Sequence, residues 1–129
     1  MIYTATTQMV RVSVKANYEG HLSDPDRENN IFSYHVVIEN IGQASVQLLN
    51  RHWKIHDSLF DLREVNGEGV IGEKPVIEAG EFHEYESWCS LNSEVGRMWG
   101  TYEFIRVGSG DLFEVEIPEF QLIVPYKLN

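Results

Sequence analysis

Three glycines in the middle of the chain, Gly67, Gly69 and Gly72, have the spacing of a phosphate-binding loop. The pattern G-x-G-x-x-G holds a pyrophosphate when it joins a strand to a helix, because the helix N-terminus presents free N–H groups to the anion. Here Pro75 and Gly80 follow too closely for an amphipathic helix of about ten residues. We predict a twisted strand and loop whose glycines adopt positive φ, with an anion held by the backbone of Gly67, Gly69 and Gly72 as the alternative.

Two histidines four residues apart, His52 and His56, would have metal-ligand spacing on a helix. The apolar alternation around them predicts a strand instead, with Trp53 and Ile55 facing the core and both histidines facing solvent. On a strand the two imidazoles lie about 13 Å apart. One ion that each nitrogen must approach to about 2.1 Å cannot close that gap. We therefore predict no metal site, and a weak divalent-cation site beside Asp57 is the alternative.

Catalytic chemistry is not indicated by the remaining reactive residues. Cys89 is the single cysteine, which excludes an internal disulfide. Its neighbours Trp88, Ser90 and Leu91 supply no histidine or cation that would lower the thiol pKa, so we predict an inert thiol. The acidic residues of Glu114–Ile117 alternate with apolar ones, which is typical of a solvated sheet face rather than of a paired acid and base. We predict no catalytic residue and no cofactor.

Length and charge restrict the function further. The 129 residues predict one domain over 1–129, large enough to bury its own core. The net charge is −10, and residues 57–119 alone carry fifteen acidic and four basic residues. Such a charge excludes nucleic acid and anionic membranes as electrostatic partners. A single free thiol, no secretory leader pattern and no apolar span of about 20 residues predict a cytoplasmic protein.

The elements that position these residues alternate with a period of two almost throughout. Polar or glycine-rich turns separate seven or eight short strands, and no convincing helix is found. This pattern predicts an all-β fold, an antiparallel β-sandwich, with a small barrel as the alternative. The predicted strands are Val10–Tyr18, Phe32–Ile38, Ser45–Asp57, Leu59–Val65, Glu81–Ser87, Met98–Val107 and Phe113–Val124.

Two of these strands change phase within their length. The buried face switches near Leu48 and Leu49, which predicts either a β-bulge or burial of both faces. It switches again at Pro118, which predicts a bulge or a strand that passes between the two sheets.

Six runs distributed along the chain are distinctive in combination: Val46–Ile55, Glu64–Pro75, Ala79–Glu81, Tyr85–Ser87, Gly96–Tyr102 and Ile117–Phe120. Together they resemble the ApaG family over about residues 9–125. The resemblance implies a fibronectin III/immunoglobulin-like β-sandwich. It also implies a link to cobalt and magnesium efflux, a gene neighbourhood shared with a diadenosine tetraphosphate hydrolase, and an interaction role in larger F-box proteins.

Four apolar residues occupy positions that the alternation or the predicted turns place at the solvent-exposed surface. Trp99 faces outward if Met98 faces the core, Trp88 stands at a strand-to-loop boundary, and Leu59 and Phe60 occupy a predicted hairpin turn. Exposed aromatic residues are preferred anchors of protein interfaces. The alternative is that they cover neighbouring strands or fold back on the sandwich. Edge strands could also add a partner strand or pair two copies into a homodimer.

The sequence therefore predicts a non-enzymatic binding module that recognises a protein partner through loops or an edge strand. The alternative is a small-ligand protein that binds a phosphate, a nucleotide or a divalent cation. An enzyme acting on a nucleotide or phosphate ester is a third hypothesis, suggested by the gene neighbourhood that the resemblance implies.

Overall fold

Nine β-strands build the protein in a computed structural model, which describes residues 1–58 and 62–128 and no side chain of residues 127 and 128. Short 3₁₀ turns lie at Gly20–Leu22, Pro25–Arg27 and Pro125–Leu128. The described residues contain no α-helix. The strands are β1 (Tyr3–Thr7), β2 (Val10–Tyr18), β3 (Asn30–Asn40), β4 (Val46–Asp57), β5 (Leu62–Glu68), β6 (Val76–Ile77), β7 (Phe82–Leu91), β8 (Val95–Arg106) and β9 (Leu112–Ile123).

The strands form two antiparallel sheets that face each other. The first sheet has the order β1-β2-β3-β7, and the second has the order β5-β4-β8-β9 with β6 paired to β4. This arrangement confirms the predicted all-β antiparallel sandwich. No helix of the described residues is both long and apolar enough to cross a membrane.

The core lies between the inner faces, which the sequence alternation placed correctly. Trp53 is at its centre, with its ring 5.4 Å from Tyr34, 5.9 Å from Phe120 and 6.3 Å from Tyr102 between centroids. Edge-to-face contacts of this kind stabilise a core beyond the burial of their area. Fully buried aliphatic residues surround the cluster on both sheets: Val12, Val14, Val36, Ile38, Leu48, Leu122 and Val124.

Both predicted phase changes are register shifts within a sheet. The β4–β8 pairing shifts between Leu48 and Asn50. The β8–β9 pairing shifts between Met98 and Gly100, opposite Pro118. β9 therefore stays in one sheet, so Pro118 marks a bulge and not a crossing strand.

The strand assignments differ from the sequence prediction in two missed strands and in several bounds. β5 continues to Glu68 rather than ending at Val65, and β8 begins at Val95 rather than at Met98. β1 and β6 were not predicted. β1 is short and has only Tyr3 and Ala5 as apolar residues of its inner face, and β6 consists of two residues. β7 continues to Leu91 rather than ending at Ser87. Trp88 and Cys89 thus belong to a strand and face opposite sides of it, since successive side chains alternate.

The two sides of the sandwich close differently. On one side β1 meets β9, where the Glu116 amide donates to Thr7 Oγ1 at 3.1 Å and Arg106 Nη2 donates to Gln8 Oε1 at 2.7 Å. On the other side β5 and β7 are the edge strands. There the Arg63 guanidinium donates to the Ser90 carbonyl. The inner faces of the sheets remain accessible on this second side.

Candidate functional site

A groove crosses the outer face of the second sheet, and we call it the outer groove. Its volume is about 690 Å³. A smaller depression continues it from His52 and Thr101 towards Glu64 and Asn66 of β5. The groove therefore crosses four neighbouring strands. It is lined by Thr7, His52, Lys54, Trp99, Gly100, Thr101, Glu114, Glu116, Ile117 and Glu119.

Trp99 is the aromatic residue of this groove. It lies at the β8 bulge on the outer face, as the alternation predicted, and is half-buried. The Arg97 guanidinium lies 4.9 Å from the centre of its ring. Arg97 Nη1 in turn donates to Glu119 Oε1 at 2.8 Å. This chain of contacts holds the indole in place while one part of it stays accessible to a ligand.

Carboxylates dominate the β9 side of the groove. Glu114 and Glu116 are exposed and form no ion pair within residues 1–58 and 62–128. Glu119 is neutralised by Arg97 at 2.8 Å. Two carboxylates without an ion pair make the β9 wall of the groove negative, while Lys54 on β4 contributes one positive charge to the same groove.

A second concave surface opens between the two sheets at the β5 and β7 edges, and we call it the inter-sheet cleft. Its volume is about 310 Å³. An adjoining space of about 240 Å³ reaches the tip of the glycine loop and shares Tyr34, Arg51, Trp53 and Ser87 with it. The cleft is lined by Tyr34, Arg51, Trp53, Ile55, Arg63, Val65, Ser87, Trp88, Cys89, Ser90 and Met98.

Arg51 lies where the cleft meets the glycine loop. Its Nη1 donates to the carbonyls of Glu68 and Gly69, both at 2.9 Å. Gly67 is its cross-strand partner, and a Cβ at Gly67 would lie 2.7 Å from Arg51 Nη2. The first glycine of the motif therefore makes room for a flat guanidinium group.

The rest of the glycine motif forms a tight turn. Ile71 and Gly72 have φ of 48° and 74°, and the amides and carbonyls of Val70 and Glu73 bond to each other. Positive φ at both central residues is typical of a type I′ hairpin turn. The amide of Gly69 donates to Leu49 at 2.8 Å. The predicted strand and loop are present, and Gly69 and Gly72 have the predicted positive φ, but Gly67 does not. The amides of Gly69, Val70 and Glu73 donate to backbone carbonyls. The anion site at Gly67, Gly69 and Gly72 stays a prediction, and the bonded amides of this turn are not free to donate to an anion.

Cys89 faces the cleft and has a cation beside it after all. Arg63 Nη2 lies 3.6 Å from its Sγ and also donates to the Ser90 carbonyl. Burial nevertheless raises the pKa of the Cys89 thiol, and this effect exceeds the opposing influence of Arg63. A buried thiol with a raised pKa is a weak nucleophile. The low reactivity predicted for Cys89 thus rests on burial and not on a lack of cations, and it stays a prediction.

Three tyrosine hydroxyls meet deeper in the same region. Tyr85 and Tyr102 are hydrogen-bonded through their hydroxyls, and Tyr34 lies near both. Burial raises the pKa of Tyr34, Tyr85 and Tyr102, while the nearby Arg51 opposes the shift in each. All three therefore remain neutral hydrogen-bonding groups at physiological pH.

The other predicted site residues are dispersed. Trp88 is 52% exposed and stands at the mouth of the cleft. Leu59 and Phe60 lie outside the described residues. His52 is exposed and His56 half-buried on β4. Within the ranges 1–58 and 62–128, no three His, Cys, Asp or Glu residues are placed to hold a metal ion.

Sequence reasoning missed both arginines of the cleft. Arg51 belongs to the inner row of β4 with Trp53 and Ile55, and Arg63 pairs with Ile55 across β5. A charged residue in phase with buried apolar ones was the available signal. That signal did not reveal a cleft, because recognising the cleft requires knowing how β5 lies relative to the opposing sheet.

Comparison with known families and proteins gives a consistent identification. The profile of the ApaG domain matches residues 20–106. A protein called ApaG from Parvibaculum lavamentivorans is 40% identical over 97% of this chain and 95% of its own length. One from Anaeromyxobacter dehalogenans is 41% identical over 98% of both chains. These names state no enzymatic activity.

Solved structures agree with this match. A crystal structure from Bordetella pertussis, whose protein is called ApaA, has a TM-score of 0.87 and 40% sequence identity. The alignment covers 90% of this chain and 94% of that one. Both the sequence and the fold are therefore shared over nearly the whole length. The chain belongs to the ApaG family.

Proposed function

We propose that this protein is a non-enzymatic interaction module whose outer groove binds an extended, basic segment of a partner protein. The observation that carries the proposal is Trp99, an indole on the solvent face of a sheet, half-buried in a groove of about 690 Å³. Tryptophan residues in such positions are preferred anchors of protein interfaces.

The charge of the groove favours a basic partner. Glu114 and Glu116 have no cationic partner among the described residues. The chain as a whole carries a net charge of −10. Both features attract lysine or arginine side chains and increase the rate of encounter with a basic surface.

The dimensions of the groove favour an extended peptide. Four strands bound three inter-strand spacings of about 4.8 Å, or about 14 Å in all. An extended chain advances about 3.3 Å per residue, so about four residues fit across the groove. Alternate side chains of such a segment would point to Trp99 and to the carboxylates of β9.

Fluorescence anisotropy with labelled extended peptides tests the proposal. Peptides that alternate lysine or arginine with apolar residues should bind, and peptides with glutamate in place of the cations should not. Trp99→Ala and the double variant Glu114→Gln with Glu116→Gln should each weaken binding by about tenfold, which is typical of removing one interface anchor or charge pair.

Matched control variants are available on the first sheet. Trp88→Ala removes an exposed tryptophan, and Glu84→Gln with Glu86→Gln removes two alternating carboxylates from the outer face of β7. Both controls should bind the basic peptides as the wild type does. Equal loss in the control and groove variants would refute the proposal, and so would equal binding of basic and acidic peptides.

A further inference from the structure

The inter-sheet cleft has a different character from the outer groove. It opens between the edge strands β5 and β7, and its floor is apolar, with Trp53 and Met98 buried beneath it. Its volume of about 310 Å³ lies at the lower end of the range of about 300–1,000 Å³ for small-molecule sites. The cleft is therefore sized for a small molecule and not for a protein segment.

The charge of the cleft is opposite to that of the chain. Among residues 1–58 and 62–128, the lining of the 310 Å³ part includes two arginines, Arg51 and Arg63, and no carboxylate. The sequence contains twice as many acidic as basic residues. Arg51 is half-buried and Arg63 is exposed, and the adjoining space of about 240 Å³ adds one carboxylate, that of Glu68. Two arginines against one carboxylate favour an anion as a further partner.

The guanidinium of Arg51 is held in place, but not all of its hydrogen-bond donors have partners. Only its Nη1 has hydrogen-bond partners among the described residues, the carbonyls of Glu68 and Gly69. Its Nη2 and Nε have none, and Gly67 lets the flat group lie against the β5 backbone. A guanidinium fixed along one edge can offer its other donors to a planar carboxylate or to a phosphate.

Arg63 is positioned from the opposite end. It reaches from β5 to β7, where Nη2 contacts the Ser90 carbonyl and Cys89 Sγ. Its Nη1 and Nε have no partner within the described part of the chain. Between the two arginines, the inner row of β7 contributes the Ser87 hydroxyl. Donors of both sheets therefore line the same opening.

We infer that the inter-sheet cleft binds a small organic anion. Its carboxylate or phosphate group pairs with Arg51 and Arg63, and its flat apolar body lies over Trp53. Trp88, which is 52% exposed, borders the mouth of the cleft from the outer row of β7. The site is distinct from the anion site predicted at Gly67, Gly69 and Gly72, since its donors are side chains and not loop amides.

Isothermal titration with four matched probes tests this inference. Benzoate and phenyl phosphate carry an anionic group on a flat ring, benzamide has the ring without the charge, and inorganic phosphate has the charge without the ring. The inference predicts that benzoate or phenyl phosphate binds at least about tenfold tighter than either comparison probe. Whichever of these two probes binds more tightly shows whether the cleft favours a carboxylate or a phosphate. Absence of binding by both aromatic anions, or equal binding of benzamide, would overturn it.

Variants locate the binding site. Arg51→Gln and Arg63→Gln should each weaken binding by about tenfold or more, while Arg11→Gln, which removes an arginine on β2, should not. Gly67→Ala should also weaken binding, because its Cβ displaces the Arg51 guanidinium without requiring a backbone change. This variant keeps the inference testable if Arg51→Gln fails to fold. Unchanged affinity in both Arg63→Gln and Gly67→Ala would overturn it.

Cys89 supplies an independent readout. As the single cysteine of the chain it lines the cleft, so a bound anion should slow its alkylation by iodoacetamide several-fold. Inorganic phosphate, which lacks the ring, should protect it less. Binding without any protection of Cys89 would place the anion elsewhere and contradict the inference.

Discussion

The outer groove and the inter-sheet cleft present opposite charges on one chain. In the groove, Glu114 and Glu116 stand in water on an open sheet face, where each charge is well screened. In the cleft, Arg51 lies beside buried tyrosine hydroxyls, where screening is weaker. The net charge of −10 of the whole chain has the same sign as the groove and the opposite sign to the cleft. The lining side chains therefore set the ligand charge that each surface favours, and local enclosure sets how strongly that charge is felt.

The largest expected effect is a loss of stability on adding a methyl group at the floor of the outer groove, which is more rigid than the wall of the cleft. A Cβ at Gly100 would lie 2.0 Å from the His52 carbonyl oxygen, which is fixed in the β4–β8 pairing. Gly100→Ala should lower the free energy of unfolding by about 3 kcal/mol, because backbone must move. Chemical denaturation measures this change.

Gly67→Ala is the matched variant for the cleft. Its new Cβ meets the end of the flexible Arg51 side chain, so the free energy of unfolding should fall by less than about 1 kcal/mol. Similar destabilisation by the two alanines would mean that the cleft wall is as rigid as the groove floor.

A smaller effect is expected from alkaline pH, and the buried tyrosines beside the cleft contribute to it. Folding raises the pKa of Tyr85 and Tyr102, so the unfolded chain loses these protons first as pH rises above about 10. The unfolded state then binds fewer protons than the folded one, and stability falls. The expected slope is about 1.4 kcal/mol per pH unit for each tyrosine.

Unfolding curves measured from about pH 8 to about pH 11.5 test this slope, because that range brackets the ordinary tyrosine pKa of about 10. Tyr85→Phe should reduce it by about one tyrosine's share, whereas Glu114→Gln in the outer groove should leave it unchanged. A slope that is the same in wild type and Tyr85→Phe would contradict the burial assigned to the tyrosine pair.

The outward direction of the residues that line the outer groove was predictable because it depends on local alternation, but the groove itself was not predicted. Trp53 and Ile55 identify the inner face of β4, which places His52 and Lys54 outside. The same reasoning placed Trp99 on the outer face. The phase changes at Leu48 and Pro118 also follow from local pattern, since one extra residue reverses the direction of every side chain after it.

The inter-sheet cleft was not predictable from such patterns. It exists because β5 extends beyond the first sheet and leaves its inner row, Arg63 and Val65, accessible. Which strands face each other depends on the sheet order, and that order is set by contacts between distant parts of the chain. Gly67 illustrates the point, because its partner is the Arg51 side chain across the pairing and not a phosphate.

The chain carries reporters for both surfaces in its three tryptophans. Trp99 lies in the outer groove, while Trp53 and Trp88 line the inter-sheet cleft. Each indole N–H gives its own signal in a nitrogen–proton correlation spectrum, so one titration follows the two surfaces together. Assignment by Trp88→Phe and Trp99→Phe identifies the three signals.

A titration of these indole signals tests the account most directly. A basic extended peptide should shift the Trp99 signal and leave Trp53 and Trp88 in place, and the aromatic anion that binds should do the reverse. A peptide that leaves Trp99 unshifted, or two probes that shift the same signals, would contradict the existence of two separate binding surfaces.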